Sequence, residues 1–169
     1  RTVAMVEKYF NGRIPQAKTD EEVDRELIAA AKEAYQEATA RLEKLEFANY
    51  IAACQKLIAR ANKYIDETEP WLLAREEDKR ERLAAVMYNL AEAIRISVIL
   101  LSPAMPTLAE RVKQQMPVVK AAEQLKWEDA GVWGLTAGGE KVEKGNALFP
   151  RIDLKSLEET EDQPVGKRE

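Results

Sequence analysis

Apolar side chains recur every three or four positions through three long stretches of this chain, which puts them on one face of an α-helix and leaves little room for a sheet. The first stretch is Val23, Leu27, Ala30, Ala34, Ala38, Leu42 and Leu45. A second, Phe47, Ile51, Cys54, Ile58, Ala61 and Ile65, follows a break near Glu46. It ends before Pro70, because proline disfavours helical geometry in the residue ahead of it. The third, Leu83, Val86, Met87, Leu90, Ala93, Ile94, Ile96 and Leu101, becomes apolar on nearly every side, which predicts a central position. Pro103 closes it, and Pro106 is expected in the first turn of a short last helix running to about Gln115, with Leu108 and Val112 facing inward. Val3, Val6 and Phe10 add a helix at the start, stopped by Asn11-Gly12. Thr19 with Glu22 reads as the capping box of the first long helix. An all-α bundle of four to five helices is the expected fold.

The character of the chain changes after this bundle. Trp127, Trp133, Gly138-Gly139 and the residues to Asp153 carry aromatics and a turn, which predicts an irregular or hairpin-containing appendage. Lys155 to Glu169 is polar and aperiodic. The expected organisation is therefore a bundle over 1–116, an appendage over 117–153, and a flexible tail or linker over 154–169. Arg1 stands in mid-pattern with neither an initiator Met nor a capping residue before it, so the chain reads as a fragment.

Composition narrows the chemistry. With 169 residues, one core is expected. Histidine is absent, which removes the commonest general base and the commonest transition-metal ligand. Metal-ligand spacing is not found, and a free-standing enzyme would depend on carboxylates or lysines alone. The net charge of −4 argues against a generally basic nucleic-acid coat, so any RNA contact must be local. A membrane span and a signal peptide are not expected, which makes the cytoplasm the default compartment. The single cysteine, Cys54, lies in an apolar pattern and reads as a buried structural thiol.

One segment concentrates groups able to read a base. Arg60 to Trp71 brings Asn62, Lys63, Tyr64 and Asp66 to a helix end and finishes with Trp71 on a proline-fixed corner. Single-stranded RNA bases are read by stacking on aromatic rings and by hydrogen bonds to their edges, one stack contributing roughly 1–3 kcal/mol. Tryptophans more often pack than stack on ligands, so on residue type alone Trp71 is better read as an anchor that pins the corner to the core. Asn62, Lys63 and Asp66 read equally as a solvated face. Arg95, alone on an apolar helix face, reads as paired with a carboxylate, with phosphate contact as the alternative. The mixed-sign run Glu76 to Arg82 reads as a solvated first turn. Arg111, Lys113, Lys120, Lys126, Lys141 and Lys144 are dispersed along the sequence.

Three strings resemble the bacterial methionyl-tRNA synthetases: Arg1 to Gly12, Arg60 to Trp71, and Leu83 to Pro106 with its Leu101-Ser-Pro-Ala-Met-Pro106 end. The closing Leu148-Phe-Pro-Arg-Ile-Asp153 is similar as well, so the resemblance covers about residues 1–153. The Ala-Asn-Lys-Tyr-Ile-Asp-Glu string followed by Pro70-Trp71 is its most specific part. It implies the anticodon-binding helix bundle of class I aminoacyl-tRNA synthetases, recognising a CAU anticodon. It implies that Trp71 stacks on the first anticodon base, that Arg1 contacts it, and that Asn62 and Asp66 support the pocket. The family's partner Asn would precede Arg1. Neither the His-Ile-Gly-His-type motif nor the Lys-Met-Ser-Lys-Ser-type loop of the catalytic half is present, so no activity or cofactor is expected here, ATP and methionine belonging to the parent enzyme. Expected partners are methionine-accepting tRNA and the parent's catalytic domain, with no membrane and no DNA. The rival readings are a protein-interaction or structural bundle, which would bury Trp71, and a bundle from another class I synthetase, which would prefer another anticodon.

Overall fold

The computed structural model describes residues 1–17, 20–117, 119 and 125–150. Six α-helices follow one another among them: α1 Thr2–Phe10, α2 Glu22–Glu43, α3 Phe47–Thr68, α4 Pro70–Leu73, α5 Arg80–Leu101 and α6 Leu108–Lys113. The all-α expectation holds. Helix α1 stops where Asn11 and Gly12 turn left-handed (φ 51° and 69°), and the Gly12 N–H donates back to the Val6 carbonyl at 3.2 Å. The expected cap Thr19 lies outside the described residues. Helix α2 starts after Glu21, whose N–H donates to the Asp24 carboxylate at 3.2 Å. Helix α6 begins at Leu108, two residues beyond Pro106 and later than the spacing predicts.

Helices α2 and α3 form an antiparallel hairpin closed by Leu45 at φ 59°. The contacts Glu37–Lys56, Glu26–Arg60 and Asp24–Tyr64 advance along α3 while retreating along α2, which fixes that direction. Helix α5 packs antiparallel on α3: Tyr50 donates to the Leu100 carbonyl at one end, and Asn89 donates to the Tyr64 hydroxyl at 3.1 Å toward the other. Of its 22 residues 17 are buried, so α5 is the central helix that its apolar sequence predicts. The span Glu77–Leu101 is long and apolar enough to cross a membrane, but 89% of its apolar 18-residue window is covered by the protein itself. Burial explains its composition without a bilayer.

The apolar stripes leave one polar knot between α2, α3 and α5. The Asp24 carboxylate, 1% exposed, accepts from Tyr64 Oη at 2.5 Å, from Arg82 at 2.7 and 2.9 Å, and from Asn89 at 3.2 Å. A buried charge is tolerated when paired and hydrogen-bonded, and this one ties three helices at the level of Tyr64. Tyr64 is thereby fixed between Asn62 and Asp66 on the same helix.

Residues 125–150 lie across the bundle without a strand. The hairpin alternative is not realised: the pairing in this region is a single antiparallel bridge between Arg13 and Lys141, flanked by Ile14 N–H to Glu140 O at 2.9 Å and Val142 N–H to Gly12 O at 2.7 Å. These residues pair with the loop after α1 instead of with each other. The 3₁₀ turn Trp127–Gly131 docks on α2, where Trp127 Nε1 donates to Thr39 Oγ1 at 2.9 Å and its ring lies 6.2 Å from that of Tyr35. Residues 134–136 are held by α5. Glu92, fully buried, accepts the N–H groups of Gly134, Leu135 and Thr136 at 2.7, 3.0 and 2.9 Å.

Candidate nucleic-acid interface

The corner ahead of Trp71 is made by backbone geometry. Glu69 ends α3 in the left-handed region at φ 40°, and Pro70, whose φ suits a first helical position, opens the one-turn α4. Pro70 is buried and α4 lies against α5, which seats the corner. Trp71 remains 38% exposed. Part of its surface is covered by the bundle and part faces solvent, so it is both anchored and accessible.

Five to nine residues before Trp71, Asn62, Lys63 and Asp66 all lie on the exposed side of α3. Tyr64 and Ile65 between them are buried. The helix thus rotates its polar groups outward while the Asp24 knot holds the opposite side. Arg1, at the N-terminal end of α1, reaches this surface and pairs with Asp66 at 3.7 Å. Both side chains are more than half exposed, so the pair is loose and solvent-screened. Lys63 turns away to Glu67 at 3.2 Å. Glu67 in turn accepts from Arg60 at 2.7 Å. Partial burial pushes the Glu67 carboxyl up, but Lys63 and Arg60 outweigh it and hold the carboxyl below its ordinary range.

Beside this surface is a cavity of about 600 Å³, walled by α1, α3, α5, α6 and residues 144–149. Arg1 and Asn62 are in its wall. The structure therefore brings Arg1 to Asp66 through an ion pair and to Asn62 through a shared cavity wall. Trp71 stands outside that wall, on the corner that follows Asp66.

Other readings resolve by contact. Arg95 pairs with Glu92 through two bonds, 2.6 and 3.1 Å, and donates to the carbonyls of Asp129 and Val132 at 2.9 and 2.7 Å. It is 6% exposed, so the carboxylate-paired reading holds and phosphate has no approach to it. Glu76 to Arg82 contains a 3₁₀ turn and the start of α5, solvated except at Arg82, which turns inward to Asp24. Cys54 is fully buried against the Leu100 carbonyl, and burial pushes its thiol up to about 11.

The cations dispersed along the sequence are not all dispersed in space. Lys144 shares the cavity wall with Arg1, and Phe149 completes it with the Arg111 guanidinium over its ring at 5.8 Å. Arg1 and Lys144 are far apart in the chain, so no local motif could have announced this grouping. Among the described residues, no group of three or more His, Cys, Asp or Glu side chains is arranged to hold a metal ion.

The sequence matches the family described as "Anticodon-binding domain of tRNA ligase" over residues 24–148. It is 44% identical to the methionine–tRNA ligase of Caldanaerobacter subterraneus over 154 residues, which covers 91% of this chain and 24% of that protein. The methionine–tRNA ligase of Clostridium tetani is also 44% identical, with 92% and 24% covered. The chain thus spans about a quarter of the length of the curated relatives it matches. Among solved structures, the apo form of Mycobacterium tuberculosis methionyl-tRNA synthetase superposes with a TM-score of 0.80 at 24% identity, over 90% of this chain and 30% of that one. The same enzyme in complex with methionyl-adenylate gives 0.75 at 25% identity, over 89% and 29%. These likenesses establish a shared bundle architecture.

Proposed function

The chain belongs to the family of anticodon-binding domains of tRNA ligases, and on that premise we propose that it reads the CAU anticodon of methionine-accepting tRNA for a parent methionine–tRNA ligase. The observation that carries this reading is the exposed face formed by Arg1, Asn62 and Asp66, with the partly exposed Trp71 on the corner that follows Asp66 in the chain. In this mechanism the Trp71 ring accepts the first anticodon base as a stacking partner. Arg1 and Asn62 offer N–H donors to its edge, and Asp66, loosely paired with Arg1, accepts from exocyclic amino groups. Cytosine presents an amino donor and a carbonyl acceptor on one edge, which this mix of groups complements. Because Trp71, Asn62 and Asp66 belong to one rigid helix and its corner, little order has to be gained on binding.

The matched region is the recognition domain alone, so the chain carries no catalytic half. In the parent, a catalytic domain of the same polypeptide would form methionyl adenylate from ATP and methionine and transfer the amino acid, in the cytoplasm where tRNA is charged. The bundle would contribute affinity and discrimination by holding the anticodon loop at a fixed place.

Titration of tryptophan fluorescence with a CAU anticodon stem-loop at low salt tests the reading. Quenching is expected with CAU, to be weaker for a loop with a changed first anticodon base, and to be lost in Trp71→Ala. Equal weak responses to both loops, unaffected by Trp71→Ala, would overturn it in favour of a bundle with another partner.

A further inference from the structure

Trp71 is not among the residues that line the cavity beside Asn62, so a base stacked on Trp71 leaves that cavity unfilled. Apolar groups such as Ile65, Ile94 and Val112 form its floor, while Asn62 and Gln115 bring side-chain amides to it. A volume of about 600 Å³ lies within the roughly 300–1,000 Å³ of sites that enclose small organic groups, and a nucleobase with its ribose fits. At the rim stands Phe149, 65% exposed. Its position is nevertheless fastened: Arg111 donates to the Leu148 carbonyl and lies over the Phe149 ring, and Gln115 Nε2 donates to the Asn146 carbonyl at 2.8 Å. The mouth is cationic, with Arg1 and Lys144 in the wall and Arg111 behind the ring. Of the facing carboxylates, Asp66 is engaged by Arg1 and Glu7 accepts the Lys144 N–H at 2.8 Å.

Resting on the RNA reading above, we propose that this cavity is a second base pocket, in which Phe149 stacks on another unstacked base of the same loop and Gln115 meets its edge. Phosphates on either side of that base fall within the field of Arg1, Lys144 and Arg111. The bases on Trp71 and on Phe149 are then held separately, one outside the cavity and one within it, which splays the loop open instead of binding it as a stacked column. Aromatic platforms and cations alternate in this way in single-strand binding surfaces.

The test is an abasic scan. A fluorescently labelled CAU stem-loop is prepared with each loop base removed in turn, and its Kd is measured by anisotropy against the wild-type chain, Trp71→Ala, Phe149→Ala and Phe149→Tyr. In the wild type two positions should be sensitive, each losing roughly 5- to 150-fold, the range of one base stack. Phe149→Ala should abolish sensitivity at one of them and leave the other intact, Trp71→Ala should do the converse, and Phe149→Tyr should restore the wild-type pattern. If only the Trp71-dependent position is sensitive and Phe149→Ala changes nothing, the second pocket is refuted and the anticodon reading stands. If no position is sensitive and Trp71→Ala is also silent, both fall. A uniform loss across all positions in Phe149→Ala, not rescued by Tyr, would show a structural role for Phe149 and overturn the pocket.

Discussion

Replacing Glu92 by Gln should be among the most damaging single-atom changes in this domain. The fully buried carboxylate accepts two bonds from Arg95 and three from the backbone N–H groups of residues 134–136. A glutamine keeps the shape but aims an NH₂ group at donors, and it strips the buried Arg95 of its counter-charge. Breaking a buried ion pair by removing one partner costs about 3–5 kcal/mol. Against a total stability of roughly 5–15 kcal/mol, that is a large share. Urea unfolding followed by far-UV circular dichroism at pH 7 measures it directly. The pH dependence has a definite sign. Burial pushes the Glu92 carboxyl up, yet Arg95 and the donated N–H groups prevail and hold it below its ordinary value of 4.5. A lowered folded pKa contributes stability that is present above 4.5 and lost as pH falls through the folded value. The gap between wild type and Glu92→Gln should therefore be widest at neutral pH and close under acid. A loss below about 1 kcal/mol at pH 7, or a gap that widens in acid, would refute the assignment of Glu92 as the clamp between α5 and residues 134–136.

Three further outcomes follow from the same contacts. Gly12→Ala places a Cβ 3.1 Å from the Val142 carbonyl at a φ of 69°, and should cost about 1–2 kcal/mol in thermal unfolding. Tyr64→Phe removes both the bond to Asp24 and the one that its hydroxyl accepts from Asn89, while Arg82 and Asn89 keep their bonds to Asp24, so a loss of about 1–3 kcal/mol is expected in urea. Cys54, fully buried with its thiol pushed up to about 11, should resist a thiol reagent at pH 8 in the native state and react at the rate of a free cysteine in denaturant.

The helices were legible because burial of one face imposes a period of 3.6, and α5 was recognisable as central because Leu83 to Leu101 shows almost no polar side. Helix starts were less so, since Glu21 and Asp24 cap α2 with side chains that also read as ordinary surface charges. Arg95 pointed to a carboxylate, but the donors meeting that carboxylate are backbone groups of an aperiodic segment, which leave no trace in residue type. The same segment pairs with the loop after α1 through Arg13 and Lys141, where Gly138-Gly139 suggested a local hairpin. At the site, Pro70-Trp71 announced a corner because proline restricts its neighbours. The meeting of Arg1, Asn62, Lys144 and Phe149 around one cavity is a product of tertiary packing between chain ends and could not be anticipated from spacing.

Photocrosslinking would detect contact between Trp71 and the first anticodon base. A CAU stem-loop with 5-iodocytidine at the first anticodon position, irradiated with the chain and digested for mass spectrometry, should attach to the peptide containing Trp71, and an excess of unmodified CAU loop should compete it away. Attachment spread over unrelated surface peptides, or a Trp71 adduct competed equally well by a loop lacking CAU, would contradict the account.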